Sequence, residues 1–299
     1  MLKRFGLFAL VNIAIMLTIS FIIRILGLEP YLYGYGVGYQ GVLLWSLIWG
    51  MGGAFISLML SKTLAIHGMG LKVIDPQTMD SYERGLVSTV HNLARGAKLP
   101  AMPTVAVYDS PEINAFATGP SKSNSLVAVS TGLLRNMKEN EVNAVLAHEV
   151  SHIANGDMVT MTLIQGVINA FVLFFSRIVG RIIASSMRGD DERGPSFMLE
   201  FMIQMVLQVV FGLLGAIVVN WFSRQREFRA DSGASKLVGK QDMISALERL
   251  KQNSGLPEEA VHDKPAYASL KISGREAFAA LFSTHPPLND RISKLKQIS

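Results

Sequence analysis

Four runs of apolar residues, each long enough to cross a bilayer, constrain this 299-residue chain more than any other feature. They occupy residues 5–23, 38–60, 158–183 and 197–222. A helix of about 20 apolar residues matches the roughly 30 Å hydrocarbon core. With 49% hydrophobic and only 17% charged residues, the whole chain is more apolar than an ordinary water-soluble domain. The first run, preceded by Lys3 and Arg4, has a signal peptide as its rival reading. It is too long for a signal h-region and no small-x-small cleavage site follows, so an uncleaved anchor is expected.

Tyr31, Tyr33, Tyr35 and Tyr39 between the first two runs suit a membrane–water interface, as does Trp221 at the end of the fourth. In a four-span arrangement Lys3, Arg4, Lys62, Lys72, Arg224, Arg226 and Arg229 fall on one side. The first opposite loop carries little positive charge beyond Arg24, and the second mixes Arg177, Arg181, Arg188 and Arg193 with Asp190, Asp191 and Glu192. The bias puts both termini and both polar segments on the cytoplasmic side. The net charge of +5 therefore reads as membrane orientation, and nucleic acid is not an expected partner. The absence of cysteine excludes disulfides, thiolate metal sites and a cysteine nucleophile.

The expected organisation is a membrane hairpin over 1–61, a polar segment over 62–157, a second hairpin over 158–222 and a second polar segment over 223–299. The first polar segment predicts a helix over 81–97, β runs over 104–108, 113–118 and 126–130, and a helix over 139–154. The second reads as mostly helical.

That last helix of the first polar segment carries His148-Glu149-Val150-Ser151-His152. Residues four apart share a helix face, so both imidazoles can reach one Zn²⁺, and Glu149 stands beside them to take a proton from the attacking water. Asn155-Gly156 supplies the helix stop. A chance match would leave two surface histidines and a glutamate; with only 6 histidines in the chain that reading is the weaker one. A catalytic zinc needs a third protein ligand and an open position. Asn155 and Met158 stand where a further Gly and His would mark a metzincin, so the third ligand is distant. Glu227 is placed for it, because it follows the fourth run by a few residues as His152 precedes the third. Asp231, four residues on, is placed to orient a ligand imidazole. The alternative for both is a solvated helix paired with Arg224, Arg226 and Arg229.

Four motifs, Asn114-Ala115-Phe116-Ala117, His148-Glu149-Val150-Ser151-His152, Arg226-Glu227-Phe228-Arg229-Ala230-Asp231 and Thr284-His285-Pro286-Pro287, stand in the order found in the HtpX family. The chain resembles that family over essentially its whole length. HtpX proteins are bacterial membrane zinc metalloproteases related to the CAAX prenyl endoprotease. The resemblance implies an α-helical integral membrane protein with a cytoplasmic, mainly-α metalloprotease domain of the zincin (gluzincin) type and a small β-sheet. It implies one Zn²⁺ per chain held by His148, His152 and Glu227, with Glu149 as catalytic base. It further implies action on misfolded or unfolded membrane proteins at the inner membrane, in quality control and stress response.

A substrate peptide is expected to add as a strand along 113–118, with Asn114, Ala115 and Phe116 as contact candidates, against an ordinary turn and buried strand residue. His285 is expected either to donate to the oxyanion or to act as an inhibitory fourth ligand; a plain helix-entry histidine is the alternative. His152 lies six positions before the third run, which puts the metal on the order of 10 Å from the bilayer surface and favours membrane-proximal substrates. Within the membrane, Gln165 and Asn169, and Glu200, Gln204 and Gln208, form polar stripes read as interhelical glue or, more sharply, a polar cavity for substrate helices. Gly50, Gly52 and Gly53 are expected at close helix contacts. His67, His91 and His262 read as surface residues. The rival function is a non-catalytic membrane scaffold stabilised by zinc, in which Glu149 would be idle. A small transporter is disfavoured, because the apolar runs contain no matched Gly/Pro-broken pair.

Overall fold

The computed structural model describes residue 25, residues 38–187, 197–253 and 283–297. The first apolar run, the loop tyrosines 31, 33 and 35, the charged loop 188–193 and His262 lie outside the described residues. The ordered elements are helix α1 (Gly38–Gly68), strand β1 (Lys72–Val73), α2 (Ser81–Gly96), β2 (Thr104–Tyr108), β3 (Ala115–Ser121), β4 (Asn124–Ser130), α3 (Thr131–Asn136) and α4 (Glu139–Asn155). They continue with α5 (Asp157–Ser186), α6 (Phe197–Val238), α7 (Lys240–Asn253) and α8 (Leu288–Gln297). Two compact units emerge, one from residues 1–56 with 162–219, the other from 57–161 with 220–299.

Three helices among the described residues are long and apolar enough to span a membrane: Gln40–Gly68, Asp157–Ser186 and Met198–Val238. In the first unit Val42, Leu43, Leu47 and Met51 of α1 pack on Ala170, Phe174 and Ile178 of α5. Gly50 makes this possible: a Cβ there would lie 2.5 Å from the Ala170 nitrogen, so the two backbones touch. Gly166 plays the same part against Met51, and Gly215 of α6 against Ile168. Gly52 and Gly53 face open space instead, so only the first of the three expected glycines serves a helix contact. The Arg177 guanidinium lies 3.4 Å over the Trp45 ring. The polar stripes bond along their own helices: Gln165 donates to Asn169 (2.8 Å) and Gln204 to Glu200 (3.0 Å). Neighbours at i and i+4 satisfy each other before reaching across. The Gln204 stem does pack beside Gly180 of α5.

The second unit is built on a four-stranded mixed sheet in the order β1-β2-β4-β3. β2 and β4 are parallel; β1 and β3 flank them antiparallel. Strand alternation turns Val105, Val127, Val129, Ala115 and Ala117 toward one core, shared with Val90 of α2 and Leu146, Val150 and Ile153 of α4. The opposite parity, Ala106, Tyr108, Leu126, Ala128 and Phe116, packs with Leu71, Ala65 and Ile66. α7 and α8 complete the first core through Leu247 and Leu295. β3 is an edge strand, and it tolerates Pro120 for that reason. Its expected limits of 113–118 move two to three residues onward, through a register shift between Thr118 and Ser121. Gly119 permits the shift: its φ is +136° and a Cβ would sit 2.3 Å from the Asn124 carbonyl oxygen.

Candidate metal centre

α4 begins at Lys138, whose backbone N–H donates to Glu141 Oε2 three residues on. It ends at Gly156, whose φ of 75° caps the helix in the left-handed region. Between these limits His148 and His152 lie one turn apart, both buried, with rings edge to face and Nε2 atoms 3.0 Å apart. α6 continues without interruption from the third apolar helix to Val238 and brings Glu227 to the pair. Glu227 Oε2 is 3.4 Å from His148 Nε2, and Oε1 is 3.3 Å from His152 Nε2.

The outer nitrogens are committed elsewhere. His148 Nδ1 is 2.9 Å from Asp231 Oδ1, and His152 Nδ1 is 2.6 Å from Asp157 Oδ2. Each carboxylate fixes its ring so that Nε2 faces the shared centre. Asp157 opens α5 directly after the Gly156 cap and was not singled out by the sequence. Its signal is an acid one residue past the helix stop. Arg291 of α8 was also missed. Its guanidinium pairs with both oxygens of Asp231 (2.8 and 2.6 Å) and reaches Glu227 Oε2 at 3.5 Å. Leu288, Ile292 and Leu295 give α8 an apolar face, and Arg291 falls upon it. A charge on such a face must have a buried partner, which is the signal that could have found it.

The donor set fits a divalent cation. His148, His152 and Glu227 form a group whose ligand atoms all lie within 4.8 Å of one another. A tetrahedron with bonds of about 2.05 Å has edges of roughly 3.4 Å, close to the two nitrogen–oxygen separations above. Both Glu227 oxygens are buried, and the groups that face them are two imidazole Nε2 atoms, His285 Nδ1 and the Arg291 guanidinium. A buried ionised carboxylate needs positive charge beside it, and a divalent cation among the three ligand atoms would supply it together with Arg291. Burial opposes the charged form of His152, yet its bonds to Asp157 and Glu227 outweigh that and push its pKa up to about 9. His148 is also raised, against its burial, by Asp231 and Glu227. Metal and protons therefore compete for the same nitrogens.

Glu149 lies on the same helix, half-buried and without a hydrogen-bond partner among the described residues. His285, 61% exposed, puts Nδ1 2.9 Å from Glu227 Oε2, and its segment is tied down by Arg224, which donates to the Ser283 carbonyl. Asn114 is exposed at the start of β3; its N–H donates to Ser130 Oγ, and its carbonyl accepts from Ser130 N–H. Ala115 and Phe116 follow on the edge strand, half-buried. His67 and His91 bond backbone carbonyls of Thr63 and Pro103.

Comparison with known proteins agrees with this arrangement. Residues 81–299 match peptidase family M48. The chain is 48% identical to "Protease HtpX" of Pasteurella multocida (strain Pm70) over 298 residues, covering 99% of both chains. It is 46% identical to "Protease HtpX" of Escherichia coli (strain K12) over 300 residues, covering 99% of this chain and 98% of that one. The crystal structure of S. mikatae Ste24p superposes with a TM-score of 0.63 at 17% identity, over 99% of this chain and 67% of that one, a likeness of fold. Membrane-length helices joined to a buried His-His-Glu cluster define a multi-pass membrane metalloprotease. Within that class the chain belongs to the HtpX family of peptidase family M48.

Proposed function

We propose that this chain is a zinc endoprotease that cuts misfolded or unfolded membrane proteins at the cytoplasmic face of a bacterial inner membrane, in quality control under stress. In this reading 1–61 and 158–222 form the membrane hairpins, and 62–157 with 223–299 form the protease. His148, His152 and Glu227 hold one Zn²⁺, and Asp231 and Asp157 orient the two imidazoles. The observation that carries the reading is the buried Glu227 carboxylate with its two oxygens facing the Nε2 atoms of His148 and His152. Bound zinc would supply Lewis acidity, acidifying water and polarising the scissile carbonyl.

The chain's own residues do the remainder. Glu149 takes one proton from the attacking water as its oxygen bonds to the carbonyl carbon. It returns that proton to the amide nitrogen as the C–N bond breaks. The peptide lies along β3 beside the contact candidates Asn114, Ala115 and Phe116, and main-chain pairing with the open edge of the strand accepts any sequence. His285 stands at the mouth of the cluster, placed either to donate to the oxyanion or to close the site as a fourth ligand.

The test is cleavage of a model membrane protein by purified wild type and Glu149→Gln, with metal content measured on both. Glu149→Gln is expected to lower cleavage by about 10²–10⁴-fold while zinc stays bound. Cleavage retained by that variant overturns the assignment. The 2.9 Å approach of His285 to Glu227 favours one competing reading, a closed structural site in a scaffold. There neither protein would cleave and zinc would be four-coordinate in protein ligands.

A further inference from the structure

We infer that the cavity bounded by Ile113, Leu250 and Leu288 is the specificity subsite of the protease and takes a large apolar side chain of the substrate. This rests on the reading above, in which the peptide pairs with β3. The cavity measures about 560 Å³, within the range of small-ligand pockets, and its rim carries Glu112, Asn136 and Asn253. Ile113, Leu250 and Leu288 are each half-buried and packed on the main core, and Pro111 adds a further apolar lining residue.

Strand parity links it to the substrate. Ala115 and Ala117 of β3 face the core that α4 helps build. Ile113, two residues earlier, packs against that same core. A peptide strand paired with β3 presents every second side chain to this face, the face on which α4 carries Glu149. Where β3 begins, the small alanines give way to the cavity. A peptide side chain of that parity which runs past Ala115 therefore meets open space instead of packed core. The opposite wall is close to the metal cluster: Leu288 lies one helical turn before Arg291, whose guanidinium is 3.5 Å from Glu227. A peptide that pairs with β3 across Glu149 and continues past Ala115 would reach the cavity, and its apolar walls would favour an apolar occupant while β3 pairing selects for nothing.

The experiment uses the full-length protein in detergent with a pair of quenched peptides identical except for Leu or Ala at one position, scanned along the peptide. Wild type is expected to prefer Leu at one fixed distance from the cut. Leu250→Trp, which fills the cavity, is expected to lower the Leu-to-Ala ratio of kcat/KM at that position by about tenfold or more. Leu288→Ala, which enlarges it, is expected to shift the preference toward Phe and Trp. Metal content and thermal midpoint report folding of both variants, and the ratio is read within each variant. A ratio unmoved by both variants overturns the inference and assigns the cavity to another occupant. Absence of any cleavage that Glu149→Gln abolishes overturns the underlying protease reading instead, so the two failures are distinct.

Discussion

The two units of this protein solve opposite packing problems. In the membrane unit, Ile48, Trp49 and Val209 are 60–63% exposed, while a handful of residues around Leu43, Ala170 and Phe174 carry the helix contact. In the second unit, Val127, Leu146, Val150, Ile153 and Leu247 are wholly buried in one core spanning sheet and helices. Lipid is as apolar as leucine, so nothing drives apolar side chains inward, and the helices associate by shape at Gly50, Gly166 and Gly215. Water drives burial in the other unit. There the metal cluster is sealed in with its charges matched: His148, His152, Glu227, Asp231, Asp157 and Arg291 are all under 9% exposed. The lesson is that one unit depends on backbone proximity and the other on charge pairing.

The largest expected effect tests the charge-paired unit. Asp231→Ala leaves Arg291 buried without its bidentate partner, which costs about 3–5 kcal/mol. It also frees the His148 ring, which lowers metal affinity by roughly 10–100-fold. Thermal unfolding in detergent and chelator competition measure the two separately. Adding Arg291→Met to Asp231→Ala removes both charges and is expected to restore most of the stability but none of the affinity. A double variant as unstable as the single one would show that pairing is not what holds this region.

A matched pair of glycine substitutions sharpens the contrast. At Gly233 on α6, an added Cβ would lie 2.7 Å from Ser151 Oγ and 2.9 Å from its Cβ. Ser151 sits between the two ligand histidines, and Gly233 follows Asp231 by two. Gly233→Ala therefore pushes α4 and α6 apart at the cluster, costing about 1–3 kcal/mol, and metal affinity falls with stability. Gly50→Ala meets the Ala170 backbone and costs a similar amount, with metal affinity unchanged. Loss of affinity in Gly50→Ala, equal to that in Gly233→Ala, would mean that the two contacts are not independent.

How much of this was readable in the chain follows the same division. The 139–154 helix was legible almost to the residue, because HEVSH has helical spacing and Gly156 must end it. β2 was legible as an uninterrupted Val-rich run. Glu227 and Asp231 were legible as an i, i+4 pair. What escaped depends on distance or on solvent. Arg291 lies 143 positions from His148, with no local pattern to join them. Asp157 was hidden because it lies past the Gly156 helix stop, at the very end of the first polar segment, with no helical spacing to tie it to His152. In the membrane unit the spans were plain from composition, but the role of Gly50 over Gly52 or Gly53 was not, since lipid leaves no periodic imprint on which face is packed. β3 drifted because a glycine at +136° and a proline at an edge look like the end of a strand.

The smallest expected effect concerns a charge far from the metal, where pairing serves stability alone. Glu141 is 3% exposed in the first turn of α4. Burial alone would raise its pKa, but the Lys138 N–H, Ser245 hydroxyl and Arg249 guanidinium outweigh that and hold it below the usual 4.5. Ser245 at 3.0 Å and Arg249 at 3.4 Å both belong to α7, so this carboxylate ties α4 to its neighbour. A depressed folded pKa contributes stability that is present above about pH 4.5 and is lost as pH falls through the folded value. Glu141→Gln keeps the shape and loses the charge, so it is expected to cost about 1–2 kcal/mol near neutral pH. The gap between wild type and variant then closes below the folded pKa, because wild-type Glu141 is itself neutral there. Thermal midpoints of both proteins, followed from neutral pH down to the acid limit of folding, measure this, and a gap that stays constant throughout would place the contribution in packing.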